Sequence, residues 1–171
     1  VGSEMCIRDR VASAFDMEIH AFDPYVNEDI EGVIMHDTVE EVFKICTHIS
    51  IHCNLTEETR KMVNSDMISL MPGIGLDGTK CGNHIVSCAR GGIIDEKAAY
   101  EALISGKLSS LALDVYDIEP LGDSLLLELE NFHASPHIAA STIEAQDRVG
   151  AEMASLLIEF FEDGKPSYSI N

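Results

Sequence analysis

The feature that most constrains the fold of this chain is its repeated order of short apolar runs and helical stretches, joined by brief polar segments. Five stretches favour strands, at residues 17–22, 45–53, 84–86, 108–115 and 132–135. Helical patterns separate most of them. Strands that alternate with helices over short joins predict a parallel sheet with helices on both faces. We therefore expect an α/β fold with a doubly wound parallel sheet.

The predicted helices have recognisable ends. We expect the end of a helix at residues 11–15 and further helices at residues 38–44, 57–64, 65–71, 95–106 and 141–161. Thr38 and Ser141 are suitable N-caps, and Glu41 completes a capping box with Thr38. Gly106 suits the position after a helix end. Four glycines between residues 72 and 83 predict a loop there, interpreted as a surface insertion rather than a lid.

Polar side chains follow the predicted strands where each one ends. Right-handed crossovers place the carboxyl ends of parallel strands on one edge of a sheet, where ligands bind. The side chains expected to gather there are Asp23, Asn54, Arg90, Asp114, Glu119 and His137. A shared site at this edge is therefore a geometric expectation.

Three of these residue types suit one reaction. His137 can exchange a proton near neutral pH, Glu119 would orient the ring and favour its charged form, and Arg90 suits a carboxylate. Hydride transfer to or from a 2-hydroxy acid needs an anion-binding group, an acid/base and a nicotinamide. Each residue also has a structural interpretation: Glu119 in a turn before Pro120, His137 at a helix entry, and Arg90 as a surface charge.

Composition excludes several classes of partner. The net charge is −19, from 30 acidic and 11 basic residues. This balance argues against nucleic acid and anionic membranes, and no apolar run reaches the roughly 18 residues of a membrane span. The first ten residues lack the apolar core of a secretory signal. Five cysteines without a C-x-x-C pair indicate reduced thiols, so we expect a cytoplasmic protein. A metal site at His48 and His52 is the less favoured interpretation, and we predict none.

Three segments together resemble one family. Residues 87–96 (SCARGGIIDE), 113–120 (LDVYDIEP) and 135–146 (SPHIAASTIEAQ) are similar to the D-isomer-specific 2-hydroxyacid dehydrogenases. The forms CARGG and ASTxEAQ resemble the 3-phosphoglycerate-oxidising branch most. The resemblance covers residues 11–171 and implies a Rossmann-like NAD-binding domain.

The resemblance implies a role for each matching position. Arg90 matches the substrate-binding arginine, His137 the catalytic histidine and Glu119 its paired glutamate. Asp114 matches the aspartate that contacts the nicotinamide amide. Asp23 matches the ribose-binding acid, which favours NAD over NADP; its structural alternative is an Asp-Pro turn. Further positions lining the cofactor, together with Arg90 and His137, are Asn54, Cys88, Ala89, Ala139 and Ala140.

The chain also departs from the family. The family's G-x-G-x-x-G turn would place glycines at Ser3, Met5 and Arg8. We therefore expect residues 1–10 to be foreign or mis-assembled, residues 11–164 to be a partial, N-terminally truncated NAD-binding domain, and residues 165–171 to begin a return to a missing substrate domain. Three local departures are Asn54 in place of proline, Ser87 in place of asparagine, and a longer loop at residues 72–83.

The expected reaction is reversible, NAD-dependent oxidation of a 2-hydroxy acid to a 2-keto acid, with little activity in this chain alone. The alternatives are a glyoxylate or hydroxypyruvate reductase, and an NAD-binding interaction protein like the family's corepressors. The family also implies a homodimer of the full-length protein through the long C-terminal helix. Met153, Leu156, Leu157, Phe160 and Phe161 suit either that interface or the core.

Overall fold

The computed structural model describes residues 11–26 and 28–164 of the chain. Within them, every strand pairing between named strands is parallel, which confirms the predicted α/β architecture. The strands are β1 (Ile19–Ala21), β2 (Val33–Met35), β3 (His48–Ile51), β4 (His84–Ser87), β5 (Ser110–Leu113) and β6 (Phe132–Ala134). Of these strands, β2 was not predicted from the sequence.

The helices begin where a polar side chain can satisfy free backbone amides. They are α1 (Val39–Ile45), α2 (Ser65–Leu70), α3 (Glu96–Ile104) and α4 (Ile143–Asp163), with a 3₁₀ turn at Leu125–Glu128, and residues 11–13 are also helical. Thr38, Asn64, Asp95 and Thr142 each accept a hydrogen bond from an amide in the first turn of the helix that follows. Such a cap contributes about 1 kcal/mol to helix stability.

The four later strands form one sheet in chain order, β3-β4-β5-β6, and β1 pairs with β2 in a second sheet. His48 lies opposite His84, and His84 lies opposite Ser110. Because neighbouring strands are parallel and in register, the loops after β3, β4, β5 and β6 leave the same edge. No backbone pairing among the described residues joins β1 to the larger sheet.

The core lies between the larger sheet and the helices packed on it. Its largest fully buried apolar side chains are Phe43, Val63, Ile68, Met71, Ile93, Leu108 and Leu111. Leu111 is on β5 and Phe43 is on α1, so both elements are fixed by burial. Each such side chain contributes about 1.5–3 kcal/mol relative to an exposed one.

Two predicted elements were wrong in their bounds or type. The run at residues 45–53 contains β3 only at His48–Ile51, because Ile45 ends α1. The predicted helix at residues 57–64 is a series of turns. Lys61 has a left-handed φ of 50°, and Val63 forms a parallel bridge with Ile94, so a continuous helix cannot form there.

The predicted caps also needed correction. Thr142 rather than Ser141 caps α4, since its side chain accepts from the amide of Ala145. Thr38 caps α1 as predicted, but the Glu41 carboxylate accepts from the Asp37 amide instead of returning to Thr38. Gly106 has a φ of 74° just beyond α3, as a residue after a helix end requires.

The loop at residues 72–83 is anchored at the amino ends of the strands, away from the loops that follow β4–β6. Ile74 and Lys80 form an antiparallel bridge within it. The buried Asn83 side chain accepts from the Gly73 amide at 2.7 Å and donates to the Lys107 carbonyl at 2.9 Å. These bonds fix the base of the loop to the turn before β5.

The predictions about residues 1–10, including Ser3, Met5 and Arg8, and about residues 165–171 lie outside the described residues. In the described ranges, no helix has the length and apolar character needed to cross a bilayer. In those same ranges, no three His, Cys, Asp or Glu side chains are arranged to hold a metal ion.

Candidate active site at the carboxyl ends of the strands

The loop after β4 carries Arg90 into the edge of the sheet. Ala89 is buried and Arg90 is exposed, and the Arg90 Nη1 donates to the Ala89 carbonyl at 2.7 Å. A Cβ placed on Gly91 would lie 1.7 Å from the Tyr116 carbonyl oxygen. Glycine is therefore required for this loop to pack directly against the loop after β5.

Glu119 and His137 form a hydrogen-bonded pair across the loops that follow β5 and β6. The His137 Nδ1 lies 2.7 Å from the Glu119 Oε2, and both side chains are partly exposed, at 50% and 35%. The bond to His137, followed by a bond from the Tyr116 amide, lowers the pKa of Glu119. An ionised carboxylate only accepts, so His137 Nδ1 carries the proton and Nε2 is left for another partner.

Asp114 fixes the loop that holds His137. It is 3% exposed, and its Oδ1 accepts from the Ser135 hydroxyl at 2.5 Å and from the Ile138 amide at 2.9 Å. Its Oδ2 accepts from the Ala139 amide at 2.9 Å. Burial opposes ionisation, but these hydrogen bonds outweigh it and lower the pKa of Asp114.

The backbone of His137 is held in a conformation that non-glycine residues rarely adopt. Its φ is 53°, which costs of order 1 kcal/mol. On one side its amide donates to the Ser135 carbonyl at 3.1 Å, and on the other Asp114 holds the next two amides. The surrounding loop therefore fixes the direction of the imidazole.

A small cleft lies beside Arg90, between the ends of β4 and β5. It is lined by Ser87, Arg90, Gly91, Gly92, Ile94, Glu96, Leu113 and Val115. Burial raises the pKa of Glu96, whose carboxylate accepts from the Asp117 amide at 2.7 Å. This bond connects the start of α3 to the loop that carries Glu119.

The predicted site residues are not all joined by contacts. Asp114, Glu119 and His137 form one hydrogen-bonded group, and Gly91 brings the Arg90 loop against it. No hydrogen bond in the described parts of the chain connects the side chains of Asp23 or Asn54 to this group.

The two outlying residues are engaged locally. The Asp23 Oδ1 accepts from the Tyr25 amide at 2.9 Å, as expected if Asp23 forms an Asp-Pro turn. The Asp23 Oδ2 has no donor among the described residues. The Asn54 carbonyl accepts from the Thr59 hydroxyl at 2.6 Å, and its side chain is exposed. Cys88, Ala139 and Ala140 are exposed in the loops after β4 and β6.

Three residues that shape this site were not predicted from the sequence. The Tyr116 hydroxyl shares its one proton between the Leu113 and Ser135 carbonyls, Ser135 donates to Asp114, and Glu96 accepts from the Asp117 amide. One signal was available for Tyr116. A tyrosine at the end of a buried strand needs a partner for its hydroxyl, which predicts a role in joining loops.

Comparison with known proteins places this geometry in context. Residues 6–139 match the family described as D-isomer specific 2-hydroxyacid dehydrogenase, NAD binding domain. D-3-phosphoglycerate dehydrogenase of Methanocaldococcus jannaschii is 42% identical over 146 residues, which are 84% of this chain and 26% of that protein. Hydroxypyruvate reductase of Thermotoga maritima is 40% identical over 162 residues, which are 93% of this chain and 49% of that protein.

Two solved structures share the fold. D-lactate dehydrogenase from Aquifex aeolicus, complexed with NAD and lactic acid, superposes with a TM-score of 0.75 at 29% identity, covering 91% of this chain and 49% of that one. An NADPH-dependent glyoxylate/hydroxypyruvate reductase from Sinorhizobium meliloti, in complex with NADP and sulfate, superposes with a TM-score of 0.79 at 25% identity, covering 92% and 49%. The chain spans between 26% and 49% of the two curated relatives described above.

Proposed function

This chain belongs to the D-isomer specific 2-hydroxyacid dehydrogenase family, whose NAD-binding domain it carries, and we propose that its protein interconverts a 2-hydroxy acid and a 2-keto acid. The observation that carries the proposal is the 2.7 Å bond between His137 Nδ1 and Glu119 Oε2. That bond leaves His137 Nε2 available for proton exchange with substrate. The more specific substrate proposal is a 3-phosphoglycerate-like 2-hydroxy acid, supported by the 42% identity to the M. jannaschii enzyme.

In the proposed mechanism, His137 moves the proton. Nε2 accepts it from the substrate hydroxyl during oxidation and returns it to the carbonyl oxygen during reduction, while the Glu119 carboxylate offsets the imidazolium charge. Arg90 releases the Ala89 carbonyl and binds the substrate carboxylate through two parallel hydrogen bonds. NAD, when bound, accepts or supplies the hydride.

The described residues fit the nicotinamide and ribose end of NAD. Three donors occupy the Asp114 carboxylate, which has about four acceptor positions and so retains one for the nicotinamide amide. Asp23 keeps its Oδ2 for the ribose hydroxyls. We propose Asn54, Cys88, Ala89, Ala139 and Ala140 as further contacts along the loops after β3, β4 and β6.

We further propose that NAD is preferred over NADP. The Asp23 carboxylate suits ribose hydroxyls and repels a 2′-phosphate. Binding of the two cofactors to wild type and to Asp23→Ser tests this: NADP should bind about tenfold more weakly than NAD to wild type, and the ratio should approach one in the variant. Equal affinities in wild type would contradict the proposed role of Asp23.

The reaction itself is testable in a chimera. Residues 11–164 would replace the aligned segment of the T. maritima hydroxypyruvate reductase, and NADH oxidation would be followed with hydroxypyruvate. Turnover should fall by about 10²–10⁴ on His137→Asn. A chimera that folds and binds NADH, but keeps its turnover after this change, would refute the proposed role of His137. The 171-residue chain alone should show little turnover, because Ser3, Met5 and Arg8 stand where the family has glycines.

A hydroxypyruvate reductase is the second candidate function, because the T. maritima relative is 40% identical over a longer alignment. The protein that contains this domain would be assayed with 3-phosphohydroxypyruvate and with hydroxypyruvate. A higher kcat/KM for the phosphorylated acid supports the first candidate, and a higher value for hydroxypyruvate supports the second.

We also propose that α4 contributes to a homodimer. Four of the five side chains predicted for that interface are exposed rather than in the core: Met153, Leu157, Phe160 and Phe161, at 54%, 50%, 43% and 80%. Leu156 is half-buried. Light scattering of the protein that contains this domain should give the dimer mass for wild type and a lower mass for the double variant Leu157→Glu with Phe161→Glu. A monomeric wild type at high concentration would contradict this.

A further inference from the structure

We propose that Tyr116 is a positioning residue for the Glu119–His137 pair, acting through its hydroxyl on one loop and through its backbone amide on the other. The inference rests on the proposed function of that pair. It assigns to Tyr116 the task of holding two separate loops at the distance that keeps the imidazole and carboxylate bonded.

The hydroxyl of Tyr116 joins the ends of two strands. It shares its single proton between the Leu113 carbonyl oxygen, 2.8 Å away at the end of β5, and the Ser135 carbonyl oxygen, 2.9 Å away just beyond β6. The side chain is 5% exposed, and burial raises the pKa of Tyr116, so the hydroxyl stays protonated and acts as the donor. Ser135 lies two residues before His137, so this contact fixes the position of the histidine loop relative to the end of β5.

The backbone of the same residue orients the carboxylate. The Tyr116 amide donates to the Glu119 Oε1 at 3.1 Å, while the other carboxylate oxygen, Oε2, accepts from His137. One residue therefore contacts both partners of the pair, Glu119 directly and His137 through Ser135. If the hydroxyl contact is lost, the Ser135 loop can move relative to the carboxylate.

The fold does not depend on the hydroxyl. Without it, the Leu113 carbonyl still accepts from the Ser135 amide at 3.0 Å, and the Ser135 carbonyl still accepts from the His137 amide at 3.1 Å. No buried carbonyl is left without a donor, and phenylalanine would fill the same space. Tyr116→Phe should thus fold normally while losing only the contribution of the hydroxyl to the connection between the loops.

The test reads the tautomer of His137 in the full 171-residue chain, without NAD or substrate. Histidine would be labelled with ¹⁵N and its ring nitrogens observed by long-range ¹H–¹⁵N correlation at pH 8. Wild type should show the Nδ1–H tautomer that Glu119 requires. In Tyr116→Phe the ratio of the Nδ1–H to the Nε2–H tautomer should fall about fivefold, the equivalent of one hydrogen bond.

Two further variants make the result specific. Tyr100→Phe is the matched control, because Tyr100 packs against the core and its hydroxyl makes no hydrogen bond within the described residues. Its tautomer ratio should equal that of wild type. Replacing Tyr116 by 4-aminophenylalanine, which restores a donor, should recover the wild-type ratio.

The inference is overturned if Tyr116→Phe keeps the wild-type ratio, if Tyr100→Phe changes it equally, or if the amino analogue fails to restore it. Failure of the proposed function would look different. The chain would then show the predicted tautomer changes while the chimera described above lacks His137-dependent turnover.

Discussion

Replacement of Gly91 by alanine would show how closely the substrate-binding loop packs against the loop of the catalytic pair. The new Cβ would lie 1.7 Å from the Tyr116 carbonyl oxygen and 2.4 Å from its carbonyl carbon, both backbone atoms. Real Cβ contacts begin at 3.0–3.4 Å, so the two loops must separate by about 1.3–1.7 Å. Because no flexible side chain can yield, we expect a cost near the upper end for overpacking, about 3 kcal/mol.

Urea unfolding followed by circular dichroism measures this cost. With a slope of about 2 kcal/mol per molar urea, the midpoint should fall by about 1.5 M. Gly122→Ala is the matched control, because its Cβ would meet no atom within 4 Å, and its midpoint should change little. If Gly91→Ala unfolds at the wild-type midpoint with unshifted amide resonances at Tyr116 and Glu119, the close packing of the two loops is wrong.

Three other experiments test the ionisable groups of the fold. Asp114→Asn should destabilise the protein by about 2–3 kcal/mol at pH 7, because the Ile138 and Ala139 amides bond to different carboxylate oxygens and the new NH2 group would face one of them. Since folding lowers the pKa of Asp114, the stability difference between wild type and Asp114→Asn should be complete above about pH 4 and shrink as the pH falls through the pKa of the folded state. A constant difference in urea midpoint down to about pH 2 would contradict this. Burial, followed by the charge of His84, whose stacked ring lies 4.5 Å away, lowers the pKa of His48. The neutral His48 ring therefore stabilises the fold fully above about pH 6.5, and this stabilisation is lost on acidification. Wild type should lose more stability than His48→Gln between about pH 7.5 and 5. Burial and then Glu18 raise the pKa of Cys46 to about 11, so mass spectrometry should find it alkylated at pH 8 about 10²-fold more slowly than an ordinary thiol, and equal rates would refute the burial.

The parallel α/β fold could be predicted because the apolar patterns, and the alternation of strands and helices along the chain, depend on local residues. The same reasoning placed Glu119 and His137 together, since both follow neighbouring strands of one sheet. Short elements were harder to predict from the sequence. β2 has only three residues, Val33–Met35, too few for a periodic pattern, and its pairing with β1 is a tertiary contact.

The details of the site depended on contacts that no local pattern specifies. Residues 57–64 have helical composition, but pairing of Val63 with Ile94 favours an extended backbone there. The left-handed φ of His137 occurs in a loop that is held by the bond from its amide to Ser135 and by bonds from the next two amides to Asp114, which is distant in sequence. Asp114 was predicted only as a cofactor contact. Its role in fixing the histidine loop is evident only from the structure.

Titration of NAD into the ¹⁵N-labelled 171-residue chain, followed by amide resonances, decides whether the loops after β4, β5 and β6 bind the cofactor. We expect saturable shifts in the amides of residues 88–91, 114–119 and 135–140, with an affinity of order millimolar, because the family's glycines are replaced at Ser3, Met5 and Arg8. The loop at residues 72–83, at the opposite ends of the strands, should stay unchanged. Saturable shifts confined to that loop, or no shifts at the three strand-end loops, would contradict the proposed NAD site.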